Sequence, residues 1–139
     1  PKTFSLDDHL MSCLETMEKI GLYIMLFSIL SLYLFKLPLP GPDLFKPALM
    51  GFLEITTGIR NICEHASGLS GLLLVTASVS FGGISGIFQT RSVLMRNSGR
   101  KNAGLSIRHY IFWKALHSLL SCIFLLILWK LYASSFFSS

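Results

Sequence analysis

From Ala66 to Thr90 the chain runs for twenty-five positions without a charge. That run constrains the fold more than any other feature. Uncharged, largely apolar stretches of this length form helices that cross a bilayer, because about 20 helical residues cover the hydrocarbon core. Two further runs repeat the pattern: Ile20 to Phe35 has sixteen uncharged residues and Ala115 to Trp129 has fifteen. At 1.5 Å per residue the first covers about 24 Å of a core about 30 Å thick. Leu37 extends it, and Lys19 and Lys36 at its ends can snorkel. Lys114 and Lys130 bracket the last run, with Trp113 and Trp129 at headgroup depth. Composition agrees. Charged residues are 14% and hydrophobic ones 52% of the chain, against about 25% charged in water-soluble domains. The expected class is an all-α integral membrane protein.

The stretch from Pro47 to Gln89 does not read as plain spans. It is apolar, yet it carries Glu54, Arg60, Asn61 and Glu64 and two glycine-marked interruptions, Thr56-Thr57-Gly58 and Ser80-Phe81-Gly82-Gly83. Lipid offers no water to a charge or to a free backbone group. Broken helix therefore persists at membrane depth only when buried in protein or lining a cavity. The apolar part from Pro47 to Ile59 is thirteen residues with Glu54 near its middle, too short to span and suited to a re-entrant or core helix. Pro47 opens a helix, Gly58 ends its first arm, and Arg60 to Ala66 returns to the same side or starts a second arm; a hairpin is expected. Further on, Ser78, Ser80, Gly82, Gly83, Ser85 and Gly86 fall within nine positions. Paired glycines predict a helix interrupted near the bilayer middle; close packing of small residues against a neighbour is the alternative.

The remaining segments set topology. The sequence opens at Pro1, as a fragment or processed chain would. No cleavable signal peptide is expected, because the first apolar run follows an acidic, amphipathic lead. In that lead Leu6, Leu10, Leu14 and Met17 recur at helical spacing, giving either a helix on the membrane surface or the extension of the first span. Pro38, Pro40 and Pro42 stop the first span. Arg91, Arg96, Arg100, Lys101 and Arg108 share a loop with no acidic residue, which marks the cytoplasmic side. The same cluster would suit nucleic acid, but its place between two apolar segments makes topology the simpler reading, and no nucleic-acid partner is expected. The expected organisation is an amphipathic lead helix over 1–19, a span over 20–37, a re-entrant hairpin over 44–66, a broken transmembrane helix over 67–90, a basic cytoplasmic loop over 91–108 and a span over 109–133. With a hairpin the amino terminus lies inside and the carboxyl terminus outside; a full crossing by 44–66 moves the amino terminus outside.

The candidate chemistry sits at the two interruptions. Glu54 with Thr56 and Thr57 places a carboxylate beside two hydroxyls at a helix break, a group able to hold a cation, a proton or a polar solute. An unpartnered charge there costs about 3 kcal/mol. Arg60 is a candidate counter-ion or anion ligand, with Asn61 beside it; a structural Glu–Arg pair closing the hairpin tip is the alternative. At the second break Ser80, Gly82, Gly83, Ser85 and Gln89 offer hydroxyls, an amide and the free N–H groups of a restarting helix, which favour anions. Transporters place discontinuous helices at the midplane in this way. A coupling ion, Na+ or H+, is allowed by Glu54; no other cofactor is expected.

Other classes are excluded on pattern. No P-loop, GxGxxG, HExxH or supported Ser/His/Asp set is present. Gly83-Ile84-Ser85-Gly86 places its second glycine one position too early for a nucleophile elbow. No catalytic residue is assigned and an enzyme is not expected. Cys13, Cys63 and Cys122 are odd in number and dispersed, so neither a disulfide framework nor a metal site is expected. His109 and His117 read as packing or interface residues.

Two motifs in combination, Gly51-Phe52-Leu53-Glu54-Ile55-Thr56-Thr57-Gly58-Ile59 and Ser80-Phe81-Gly82-Gly83-Ile84-Ser85 with Gln89, resemble the carboxyl-terminal half of the sporulation integral membrane protein YlbJ/SpoVV family, in the nucleoside-recognition, or Gate, domain group. The resemblance covers the chain from Ile20 to Leu131. It implies one transporter-type repeat related to concentrative nucleoside transporters: a span, a re-entrant hairpin, a broken helix and a further span. It also implies transport of dipicolinate, a small aromatic dianion, across the outer forespore membrane of a spore-forming bacterium. Such a site needs a second repeat, either the first half of a longer chain or another copy of this one. A non-transporting membrane scaffold or assembly subunit is the alternative function.

Overall fold

A computed structural model of the chain describes residues 6–97 and 106–137. Six helices account for nearly all of it: α1 (Leu6–Lys36), α2 (Phe45–Leu53), α3 (Ile55–His65), α4 (Gly68–Phe81), α5 (Gly83–Asn97) and α6 (Ile107–Phe137). Among the described residues there is no strand. Three helical stretches are long and apolar enough to cross a membrane: Leu6–Lys36, Gly68–Val93 and Ile107–Ala133. Their apolar side chains are largely exposed, as at Leu26, Ile29, Leu120, Phe124 and Leu128. Water would penalise such a surface heavily; hydrocarbon does not.

α1 is one continuous helix that joins the described part of the amphipathic lead to the first apolar run. Its first turn carries Asp7 and Asp8 and its last carries Lys36, charges that complement the helix dipole. The basic stretch is partly helical: α5 continues through Arg91 to Asn97. Arg100 and Lys101 lie outside the described residues.

Side-chain contacts fix how the helices run. Phe35 near the end of α1 meets His65 at the end of α3, with ring centroids 5.8 Å apart. Midway down α1, Ser28 reaches Glu54 between α2 and α3. Further toward the start of α1, Tyr23 and Phe27 flank Phe88 of α5. α2 and α3 thus leave from the carboxyl end of α1, descend beside it and come back. On the other side α4 packs along α6 in the opposite sense: Ser118 donates to the Ala77 carbonyl at 3.0 Å and the Cys122 thiol lies 3.8 Å from that of Leu73.

The interior is small and lies between α1 and the α2–α3 pair, where Phe27, Met50, Leu53 and Ile62 are buried. Close approach depends on glycine. A Cβ on Gly58 would fall onto the Cα and N of Gly51, and one on Gly51 would lie 2.9 Å from Ile62 Cδ1. Between apolar helices in lipid, contact of this kind supplies the association energy that the hydrophobic effect supplies in water.

Gly58 does not end the first arm of the hairpin, as its place in the sequence suggests: the chain turns at Glu54, and Gly58 sits inside α3 as the contact with α2. Glycine serves both sharp turns and close helix approach. At Gly58 the second use applies.

Candidate functional site

Glu54 is the only residue between α2 and α3, and its backbone is extended (φ −147°, ψ 126°). Its N–H still bonds to the Met50 carbonyl at 2.9 Å, closing α2, while its side chain caps α3. The carboxylate accepts from the backbone N–H groups of Thr56 (3.0 Å) and Thr57 (2.9 Å) and from their hydroxyls (2.7 and 2.9 Å). Ser28 of α1 adds a longer contact at 3.4 Å. A negative charge at a helix amino end is favoured by the dipole and by the unpaired N–H groups there. Glutamate rarely caps this way, since shorter side chains suit the geometry better. Here the two threonines complete the cradle, and the residue is only 3% exposed.

The second break meets the first. Gly82 (φ 89°) ends α4 with its N–H on the Ser78 carbonyl at 3.0 Å, and Gly83 (φ 67°) begins α5. Two successive left-handed residues suit glycine and penalise other L-amino acids. A Cβ on Gly83 would lie 3.4 Å from the Leu53 carbonyl oxygen and 3.6 Å from the Ile55 nitrogen. Four helix ends, those of α2, α3, α4 and α5, therefore converge within van der Waals reach. Ser85 is buried in the first turn of α5 and accepts from the Gln89 amide at 2.9 Å. Ser80 offers its carbonyl to the His117 ring at 3.4 Å.

The convergence sits at mid-height of the apolar runs. Ser28 is eight residues from Lys36 and nine from Lys19, about 12 and 14 Å along the helix, and Glu54 lies beside it. Gly82 and Gly83 fall near the centre of the apolar stretch Gly68–Val93.

Arg60 and Asn61 do not join this group. Arg60 pairs with Glu64 at 3.0 Å across one turn, its side chain 80% exposed. Six residues beyond Glu54 is about 9 Å further along the helix and two thirds of a turn around it, so the guanidinium points away from the carboxylate. The expectation that Arg60 pairs with Glu54 is replaced by this local pair. Asn61 is buried, but its amide donates to the Thr57 carbonyl at 3.0 Å, holding α3 together. Replacing Arg60 and Glu64 together by alanine is expected to change stability by less than about 1 kcal/mol, as for exposed i,i+4 pairs; thermal unfolding in detergent checks it.

Three polar residues at the junction escaped the sequence reading. Ser28 contacts the carboxylate, and Ser31, one turn along, is fully buried with its hydroxyl unpaired. Both serines stand in an otherwise apolar run, which is the one signal available. Lys114 places its Nζ 3.7 Å from where a Gly82 Cβ would stand; its position beside the last span suggested only an interface anchor.

Comparison with known proteins found no matching family model, curated protein or solved structure.

Proposed function

We propose that this chain is one repeat of a membrane transporter and that α2–α3 is a re-entrant hairpin whose tip, with the α4–α5 break, forms a midplane site for a small polar solute. The observation that carries the proposal is the meeting of two helix interruptions at the height of a buried carboxylate, inside a molecule whose outer surface suits hydrocarbon. Broken helix at that depth persists only when buried in protein or lining a cavity, and paired interruptions are how transporters assemble such sites. In this reading Glu54, Thr56 and Thr57 face the solute or a coupling ion, Na+ or H+. Gly82, Gly83 and Ser85 present the amino end of α5, with Ser80 and Gln89 alongside. Lys114 supports an anionic solute. The likeness of the two motifs to the YlbJ/SpoVV family makes dipicolinate the first solute to test and nucleosides the second, with a second repeat completing the site and a bacterial membrane as its location.

The test is uptake into proteoliposomes. Glu54→Gln and Gly83→Leu are each expected to abolish uptake while the protein still inserts. Wild-type rates in either variant would refute the site.

A second reading has its own support. All but one of the Glu54 contacts come from its own helix, as in a purely structural cap within a membrane scaffold. That reading expects Glu54→Gln to alter stability alone and Gly83→Leu to disrupt a complex, which crosslinking separates from loss of uptake.

A further inference from the structure

The face of α3 that turns away from the interior is polar along its length. Gly58, Asn61 and Ile62 are buried, whereas Thr56, Arg60, Cys63 and Glu64 are exposed. These positions are four, seven and eight residues apart, so they form one stripe. It begins near His65, at the end where α1 finishes, and ends at Thr56, whose hydroxyl bonds the Glu54 carboxylate at 2.7 Å. Arg60 lies five residues from the outer end, about 7.5 Å in, and among the described residues its only ion-pair partner is Glu64.

The inference rests on the re-entrant reading of α2–α3. Placed in the membrane, this stripe meets either lipid, protein or water. Lipid is excluded at Arg60: a guanidinium turned toward hydrocarbon below the headgroups is strongly penalised, and with Glu64 paired to it the Arg60 side chain is still 80% exposed. Between protein and water, the charges on the stripe are already matched within one turn, so no outside counter-charge is required. The stripe carries no large apolar side chain of the kind that forms the core of a protein contact.

We propose that the outer face of α3 lines a water-filled vestibule, open on the side of the membrane where α1 ends, through which a hydrated solute reaches the Thr56–Glu54 tip. α3 would then be the wall of a one-sided access path, with Arg60 and Glu64 keeping it wet at no net charge.

Thiol accessibility tests this independently of transport. In a background with Cys13→Ser, Cys63→Ser and Cys122→Ala, single cysteines are placed by Thr56→Cys, by Arg60→Cys and by restoring Cys63. Asp43→Cys marks the α1-end side and Leu128→Cys marks lipid. Proteoliposomes receive a charged, membrane-impermeant methanethiosulfonate from one side or the other, and labelling is read as a mass shift. The expected result is labelling at 63, 60 and 56 from the side that labels Asp43→Cys, and none at Leu128→Cys. Arg60→Cys lies on an exposed surface, so it carries the test even if Thr56→Cys disturbs the cap. Labelling confined to Cys63, or labelling at 60 and 56 from the opposite side, would overturn the vestibule. So would protection of Arg60→Cys with a Cys63–Cys63 disulfide on oxidation, which would show a second copy covering the stripe. Uptake without labelling would leave the transport reading standing and remove the vestibule; labelling without uptake would do the reverse.

Discussion

Gly58→Leu is expected to separate α2 from α3 and to give the largest loss of stability of any single substitution in the hairpin. The first carbon of the new side chain would fall onto the Gly51 backbone, and 2.7 Å from the Met50 carbonyl carbon. Backbone cannot rotate aside as a side chain can, so the two helices must part. Ile62 and Met50, both buried at that contact, would lose their packing. Overpacked cores lose about 1–3 kcal/mol, and a clash with backbone belongs at or above the top of that range. The control is Gly21→Ala, where a Cβ meets nothing within 4 Å; alanine there should stabilise α1 by about 1 kcal/mol through helix propensity. Thermal unfolding in detergent reads both. A Gly58→Leu protein that melts with the wild type would mean that α2 and α3 do not pack through these glycines.

Glu54→Ala should follow closely in size. The substitution removes the only acceptor for two backbone N–H groups at the start of α3 and leaves the Thr56 and Thr57 hydroxyls without their partner. Loss of a helix cap costs about 1 kcal/mol, and the partly buried donors left unpaired add about 1 kcal/mol more, for a total of about 2 kcal/mol. Glu54→Gln keeps one acceptor oxygen and gives up the charge-assisted strength of the bonds, so it should fold with a smaller loss. That difference makes it the variant for uptake measurements. Equal unfolding midpoints for Glu54→Ala and the wild type would show that the cap is not formed.

Much of the architecture was legible in the sequence because lipid simplifies the code. Uninterrupted apolar runs gave the long helices, and a charged residue within a short apolar segment announced that Pro47 to Ile59 is not a plain span. The Gly82-Gly83 pair announced the second interruption, since two adjacent left-handed residues are tolerated by little else. The turn itself was misplaced by four residues. Gly58 carries the same letter whether it reverses the chain or admits a neighbouring helix, and only the position of Gly51 in space distinguishes the two. Of the roles open to Arg60, the pairing with Glu54 is ruled out by helical geometry, since six positions carry a side chain well around the axis, and Glu64 takes that place. Ser28 lies 26 residues from Glu54, and Lys114 lies on the last helix. Nothing local announces either contact.

Both readings of function agree on the fold of the junction and differ on whether it holds anything. A ligand that binds the folded protein at about a hundred times its dissociation constant adds about 2.7 kcal/mol of stability, which a thermal-shift assay resolves. The decisive measurement is therefore the unfolding midpoint of the purified protein with dipicolinate, nucleosides and sodium, compared with Glu54→Gln and Gly83→Leu. The account predicts that at least one of these raises the wild-type midpoint and leaves both variants unmoved. No shift with any of them, or equal shifts in wild type and variants, would contradict it.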